Sequence, residues 1–378
     1  MLLHLLRPNG RQRFSQLCWA WTRCQCELAI RVVTRSLGRS LSATIHRWLG
    51  LLLALWLALM AVTGGALLFK TSLLQWQYPQ LQLAEVPTVE QAAKVFDQQS
   101  GSYAYFPDAA RPWIEIVSAE GNYRYFDANG RLLLTREHLG DWLDWLVQLH
   151  YHLALGDNGD LPMQAFSLLT LVLLLTGLIR WWPRRWSLRH FAIRWSKPGS
   201  RLWRATLWQS HRTFGALALP GILLALVTGM GFFFSSTFIS GLQVVFSETS
   251  EPYIETVSVT RVPQTWQQKL GLAAELLPSA KPRLASLTRG DLRLKLPQEW
   301  HPNGRSYLRF PTTHSVQLQN ALKQDRGYQI FQTFYPLHIA SVGGGALLTL
   351  LVVTALALLY LAVSGVWFWW LCRRSRAS

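Results

Sequence analysis

Four histidines fall at spacings that repeat. HRWLGLLLALWLALMAVTGGALLF, from His46, aligns without gaps on HRTFGALALPGILLALVTGMGFFF, from His211. The alignment pairs His46 with His211, Arg47 with Arg212, Gly50 with Gly215, Val62-Thr63-Gly64 with Val227-Thr228-Gly229, and Phe69 with Phe234. A second match is subtler. His150 and His338 are each followed by glycine after 27 residues (Gly177, Gly365) and by Trp-Trp after 31 and 32 (Trp181-Trp182, Trp369-Trp370). Imidazole is the commonest metal ligand among side chains. Two imidazoles at one height on neighbouring helices can supply both axial ligands of a haem iron, and the space between facing helices is where such sites are built. A lone His at a membrane edge is more simply an amphipathic ring among headgroups. Four at two matched heights read as functional.

Gly64 follows His46 by 18 residues, about five helical turns, so it shares a helix face with that histidine. Gly229 stands in the same relation to His211. The missing side chains either clear space for a flat macrocycle or serve close helix packing. No such reading extends to Gly177 and Gly365, because glycine-rich turns before their helices can break the phase. His152, two residues after His150, is an alternate ligand or a supporting group; Ala340 stands at the matching place. His190 reads as an interface residue, and His138, His301 and His314 as solvated surface. Cys24-Gln-Cys26 with Cys18 is too sparse a set for a metal, and a reducing side argues against disulfides.

These residues need elements to hold them. The chain of 378 residues is 50% hydrophobic and 15% charged, against about 25% charge in a soluble domain. That excludes a disordered chain and an ordinary soluble enzyme. Four stretches, Trp48 to Phe69, Met163 to Trp182, Phe214 to Phe234 and Val342 to Trp370, are apolar enough and long enough to span a bilayer. Of the 37 Lys and Arg, 20 lie before the first stretch, from Arg180 at the end of the second to Arg212 before the third, or after the fourth, beside a single acid, Glu27. By the positive-inside rule those segments and both termini are cytoplasmic. The net charge of +17 is then an orientation signal, which points to the lipid bilayer and away from nucleic acid.

The layout that follows is a basic cytoplasmic segment (1–45), membrane helices (46–70, 161–183, 211–235, 339–372), external domains (71–160, 236–338), a basic cytoplasmic loop (184–210) and a tail (373–378). Both halves enter the membrane in the same direction. The expected fold class is therefore a mainly α membrane protein, with four transmembrane helices in two parallel repeats and two small α+β domains outside. The N-terminal segment lacks a signal-peptide pattern; it is either one or two basic amphipathic helices on the inner leaflet or a loosely ordered tail. In the first external domain TVEQAAKVFDQQS reads as a helix capped by Thr88 and Gln91, and WIEIVS, YRYFD and RLLLT as strands. In the second, VPQTWQQKLGLAAELLP reads as a helix, and DLRLKLP and SYLRFP as strands. No serine triad, phosphate loop or carboxylate pair stands out in either.

HRWLGL at the first span resembles the opening motif of the PepSY-associated transmembrane family. LHYHLALGDNG resembles that family's LHxxLxLGxxG segment, and YFDANGRLLL resembles the end of a PepSY domain. The resemblance covers about residues 40–372; the extension over 1–39 departs from the usual family start. The family includes di-haem ferric-siderophore reductases of the FoxB type. The resemblance implies a bacterial inner membrane protein with PepSY-like periplasmic domains and two haems b per chain. His46 and His211 would ligate the cytoplasmic-side haem, and His150 and His338 the periplasmic-side haem. It further implies that an unidentified cytoplasmic reductant or quinol supplies electrons, that a ferric-siderophore or other ferric chelate in the periplasm receives them, and that Fe(II) is released. No acid–base catalytic residue is then required. The alternatives are a cytochrome serving another acceptor, or a PepSY-type membrane anchor or regulatory binding protein without redox activity.

Overall fold

The computed structural model describes residues 40–183, 187–200, 202–247, 252–311 and 314–377. The basic segment before residue 40, with the amphipathic helices and the Cys18, Cys24 and Cys26 set considered there, lies outside the described residues. In chain order the helices are α1 (Ser40–Leu67), α2 (Lys70–Gln77), α3 (Val89–Gln98), α4 (Trp142–His152), α5 (Asp160–Trp181), α6 (Trp203–Phe233), α7 (Ser235–Phe246), α8 (Trp266–Leu276), α9 (Arg326–Phe331), α10 (Phe334–His338) and α11 (Gly344–Ala377). The strands are β1 (Tyr103–Tyr105), β2 (Ile114–Val117), β3 (Tyr123–Phe126), β4 (Leu132–Arg136), β5 (Glu255–Ser258), β6 (Lys281–Ser286), β7 (Leu292–Lys295), β8 (Ser306–Arg309) and β9 (Ser315–Gln319).

Helices α1, α5, α6 and α11 are long and apolar enough to cross a membrane. At about 1.5 Å per residue, each exceeds the ~30 Å hydrocarbon core. Their outward faces are bare apolar surface, Leu55 being 83% exposed and Leu217 and Leu356 more than half exposed. A surface of that kind needs lipid. Four threonines inside these helices are satisfied locally. Thr63, Thr176, Thr228 and Thr354 donate their hydroxyls to the carbonyls of Leu59, Val172, Leu224 and Leu350, four residues back.

By contacts the chain falls into two compact units, one comprising Met1–Ala54, Leu169–Ala216 and Gly365–Ser378, the other Leu55–Leu168 and Leu217–Ser364. In the first, the segment after α5 is held to α6: Arg212 donates to the His190 carbonyl at 2.8 Å and lies over the Trp208 ring.

The second unit contains all the strands. They form one 9-stranded sheet in the order β4-β3-β2-β1-β6-β7-β8-β9-β5, every neighbouring pair antiparallel. The sequence reading keeps the two external segments apart; the structure joins them where β1 meets β6, pairing Tyr103 with Ser286, Ala104 with Ala285 and Tyr105 with Leu284. Unjoined, both strands would present unpaired backbone groups at a sheet edge. Ala104 and Ala285 are both fully buried. Their small side chains let α3 and α8 close over the seam, where the Trp266 amide donates to Asp97 and the Trp266 ring meets Phe96 edge-on at 6.2 Å. A single apolar cluster from both segments fills the space between these helices and the sheet. Each helix begins with a capping box, Thr88 with Gln91 and Thr265 with Gln268. On the opposite face, Leu74 of α2 and Leu143 of α4 pack on Trp113 and Tyr125, with Leu133 and Leu134 of β4 beside them, at the β2–β4 end of the sheet.

A buried polar knot ties α4 to the sheet. Asp141 caps α4 by accepting from the Asp144 amide. The same carboxylate takes Arg136 Nε at 2.6 Å, Arg136 Nη2 at 3.0 Å and the Tyr78 hydroxyl at 2.9 Å. Burial pushes the Asp141 carboxyl up, but the Arg136 and amide hydrogen bonds outweigh it and hold it below the usual carboxylate range. A depressed pKa means stability that is present at neutral pH and is lost as pH falls below about 4, through the folded-state value. Asp141→Ala is expected to cost about 3–5 kcal/mol, because it leaves a buried guanidinium unpaired. A denaturant melt in detergent at pH 7 reads this loss, and the mutant's melt should be less sensitive to acid than the parent's.

Candidate functional site

In the first unit, His46 reaches from α1 to α5. Its Nδ1 lies 3.1 Å from the Leu173 carbonyl oxygen and 3.3 Å from Thr176 Oγ1. A carbonyl only accepts, so Nδ1 carries the proton. The Nε2 lone pair is then free, which is the form a metal takes. The ring of His211, on α6, stands 6.4 Å away centre to centre at 81°. Each ring is flanked by a glycine. A Cβ on Gly177 of α5 would stand 3.0 Å from His46 Cε1, and one on Gly365 of α11 would stand 3.3 Å from His211 Cε1.

The second unit holds the other two histidines in the same way. His150, in the last turn of α4, has Nδ1 at 2.9 Å from Thr63 Oγ1 on α1. Thr63 spends its own proton on the Leu59 carbonyl, so it accepts from Nδ1–H. His338, the last residue of α10, makes the same contact at 2.9 Å with Thr228 on α6, whose hydroxyl goes to Leu224. The two rings stand 6.2 Å apart at 41°. Cβ atoms on Gly64 and Gly229 would lie 2.9 and 3.2 Å from the Cε1 atoms of His150 and His338. Burial pushes both imidazoles down to about 4, so both are neutral at pH 7 and able to ligate.

These pairs can be tested against a shared metal. An ion bound by an imidazole nitrogen at about 2.0 Å lies roughly 3.2 Å from the ring centre, so two rings on opposite sides of one ion stand about 6.4 Å apart. The observed 6.4 and 6.2 Å meet that requirement. Two protein nitrogens leave most of the coordination sphere to another group. Among the described residues no three or more of His, Cys, Asp and Glu gather to hold a bare ion. Haem iron supplies its own four ring nitrogens in a plane and asks the protein for two axial ligands. The donor set, the fixed tautomers and the glycine beside each ring fit that group.

The four histidines singled out by spacing are thus brought together in two pairs. Gly64 and Gly229 face His150 and His338 rather than the histidines of their own helices. Gly177 and Gly365, passed over in the sequence, do the same for His46 and His211. The three threonines were also missed, although a signal existed. A hydroxyl-glycine dipeptide recurs in each span, at Thr63-Gly64, Thr176-Gly177, Thr228-Gly229 and Ser364-Gly365. His152 turns aside to Asp160, at 2.8 Å. His138 lies 3.3 Å from Asp144, and His190 and His314 bond to the Ser187 and Thr260 carbonyls. His301, expected at the solvated surface, is buried, and its ring stacks on Tyr335 at 4.8 Å.

A family model described as the PepSY-associated TM region matches residues 43–371. No curated protein matches the chain.

Proposed function

The chain belongs to the PepSY-associated TM region family, and from that premise we propose that it is a membrane oxidoreductase holding two haems b, which passes electrons across the bilayer to a ferric chelate such as a ferric siderophore. His46 and His211 would hold one haem, and His150 and His338 the other. The observation that carries the reading is the two pairs of imidazoles with ring centres 6.4 and 6.2 Å apart, each ring with a glycine beside it. When bound, haem would supply reversible one-electron chemistry, and reduction of the acceptor iron to Fe(II) weakens its hold on hard oxygen ligands.

The chain's own residues position and insulate. Thr63 and Thr228 fix the tautomers of His150 and His338; Leu173 and Thr176 do so for His46. The apolar spans exclude water. The basic segments, by their charge, put the termini in the cytoplasm and the sheet in the periplasm. On this reading the halves His46–Trp182 and His211–Trp370 are parallel repeats, each lending one ligand to each haem.

The absorption spectrum of the purified chain, oxidised and reduced, with haem counted per chain by pyridine haemochrome, tests the proposal. About two haems are expected; a chain without a Soret band sinks it. Thr63→Val and Thr228→Val should each keep the haem but weaken its binding about 10–100-fold, as loss of a bond that orients a ligand does. Haem dissociation to an apo-globin acceptor measures it.

A further inference from the structure

The sheet-bearing unit holds a second cluster that the histidine pairs do not use. Its centre is His301, 3% exposed, in the turn between β7 and β8. The Asn303 amide donates to His301 Nδ1 at 3.1 Å, and Arg293 Nη2 lies 3.4 Å from the same atom. Nδ1 therefore accepts, and the neutral ring carries its proton on Nε2. That buried N–H has no acceptor among the described residues, and neither has the buried Arg305 Nε–H. Buried donors are seldom left so.

The charge around them is one-sided. Burial, and then Arg305, Arg293 and Lys295, push His301 down to about 2. Burial and then Arg305 also hold Arg293 below the ordinary guanidinium value. Among the described residues, no carboxylate forms an ion pair with Arg293 or Arg305. Glu299, in the same turn, is occupied by the Leu296 and Arg305 amides and the Ser306 hydroxyl. Two adjacent guanidiniums without a counter-charge are costly and suit an anion that arrives from outside. Their planar forks match carboxylate and similar oxygens.

Arg293 also borders open space. Arg293 pairs with Tyr307 across β7 and β8, on the stretch of sheet face that α2 and α4 leave uncovered. With Arg309, and with Arg289 and Asp291, which pair with each other at 3.3 Å, these residues line a groove of about 270 Å³. Arg293 is both the groove wall and the partner of His301. Tyr335, stacked on His301, meets Phe232 at 6.0 Å, and Phe232 meets His338 at 5.3 Å. The groove is thus separated from a candidate haem ligand by a short run of aromatic rings.

We propose that this groove docks an anionic, oxygen-rich chelate, whose carboxylate or phenolate oxygens are taken by Arg293 and Arg309, with the charge of Arg305 beside Arg293. The substrate class rests on the reading of the acceptor as a ferric chelate.

Binding can be separated from redox with metals that are not reduced. The purified full chain is titrated calorimetrically with gallium(III) citrate and with a gallium(III) tris-catecholate. Haem content and melting are measured on every variant. Arg293→Gln and Arg309→Gln should each weaken binding at least about tenfold, with haem content and melting unchanged; Arg293→Lys should lose less. Unchanged affinity in both Gln variants, or a parent that binds neither chelate, overturns the proposal. Equal competition by inorganic phosphate marks a general anion site and overturns it too. Loss of haem in the Gln variants with chelate binding intact assigns the arginines to the haem carboxylates instead, also against it. A parent that holds no haem but binds chelate through Arg293 upholds the docking site while the redox reading falls.

Discussion

Purified His338→Ala is expected to hold one haem where the parent holds two. The His150–His338 pair and the His46–His211 pair share no residue, and each lies within one compact unit. Removing one imidazole of a pair would take away one of the two residues that would hold that haem. The Thr228 hydroxyl that met His338 is still satisfied by Leu224, so no new buried polar defect is created in α6. The pyridine haemochrome count should fall from about two to about one per chain, with the melt of the sheet-bearing unit retained. His46→Ala should remove the other haem and leave this one. If either variant lost both haems with its melt intact, the two pairs would not be separate sites.

A larger surprise is expected from a residue that ligates nothing. Gly64→Val should empty the His150–His338 site as fully as His150→Ala does. A Cβ at Gly64 would already sit 2.9 Å from His150 Cε1, closer than real Cβ contacts allow, and valine adds two methyl groups. The ring must swing away, and Thr63, the neighbouring residue, then loses its bond to Nδ1. Overpacking of this kind costs roughly 1–3 kcal/mol, so the chain should still fold while the site does not form. Gly64→Ala should be milder, because the ring needs to give by only a few tenths of an ångström, and should keep the haem with an altered reduction potential. Gly241→Val, with nothing within 4 Å of the added carbon, is the control. Two haems with unchanged spectra in Gly64→Val would show that the close approach of ring and backbone is not part of the site.

What was legible in the sequence follows from how the signals arise. Membrane helices are written as long apolar runs, and α1, α5, α6 and α11 all fall on the expected stretches. The capped helix α3 and the strands β2, β3, β4, β7 and β8 carry alternation or turn residues and were readable. Strand β1 has only three residues between Ser102 and Phe106. Strand β6 carries Pro282 beside a register shift, a residue that demotes a strand by local rules. Neither could be read locally, because each takes its pairing from strands on both sides, one of them in the other half of the chain. The same holds for the site. His46 and His150 were visible as spacings within the chain, but which glycine faces which ring depends on helix neighbours that no local pattern states.

The seam between β1 and β6 has a consequence for heredity. The two halves of the chain do not merely adjoin; they share one roof of helices and one row of backbone pairing. Neither half can be lost, duplicated or traded for a foreign one without stripping the other of an edge and of half its core. Ala104 and Ala285 meet at that seam fully buried under α3 and α8, so a larger residue at one position calls for a compensating change at the other or in the helices above. Selection must therefore act on the halves as one inherited object, although each still carries its own copy of the histidine spacing.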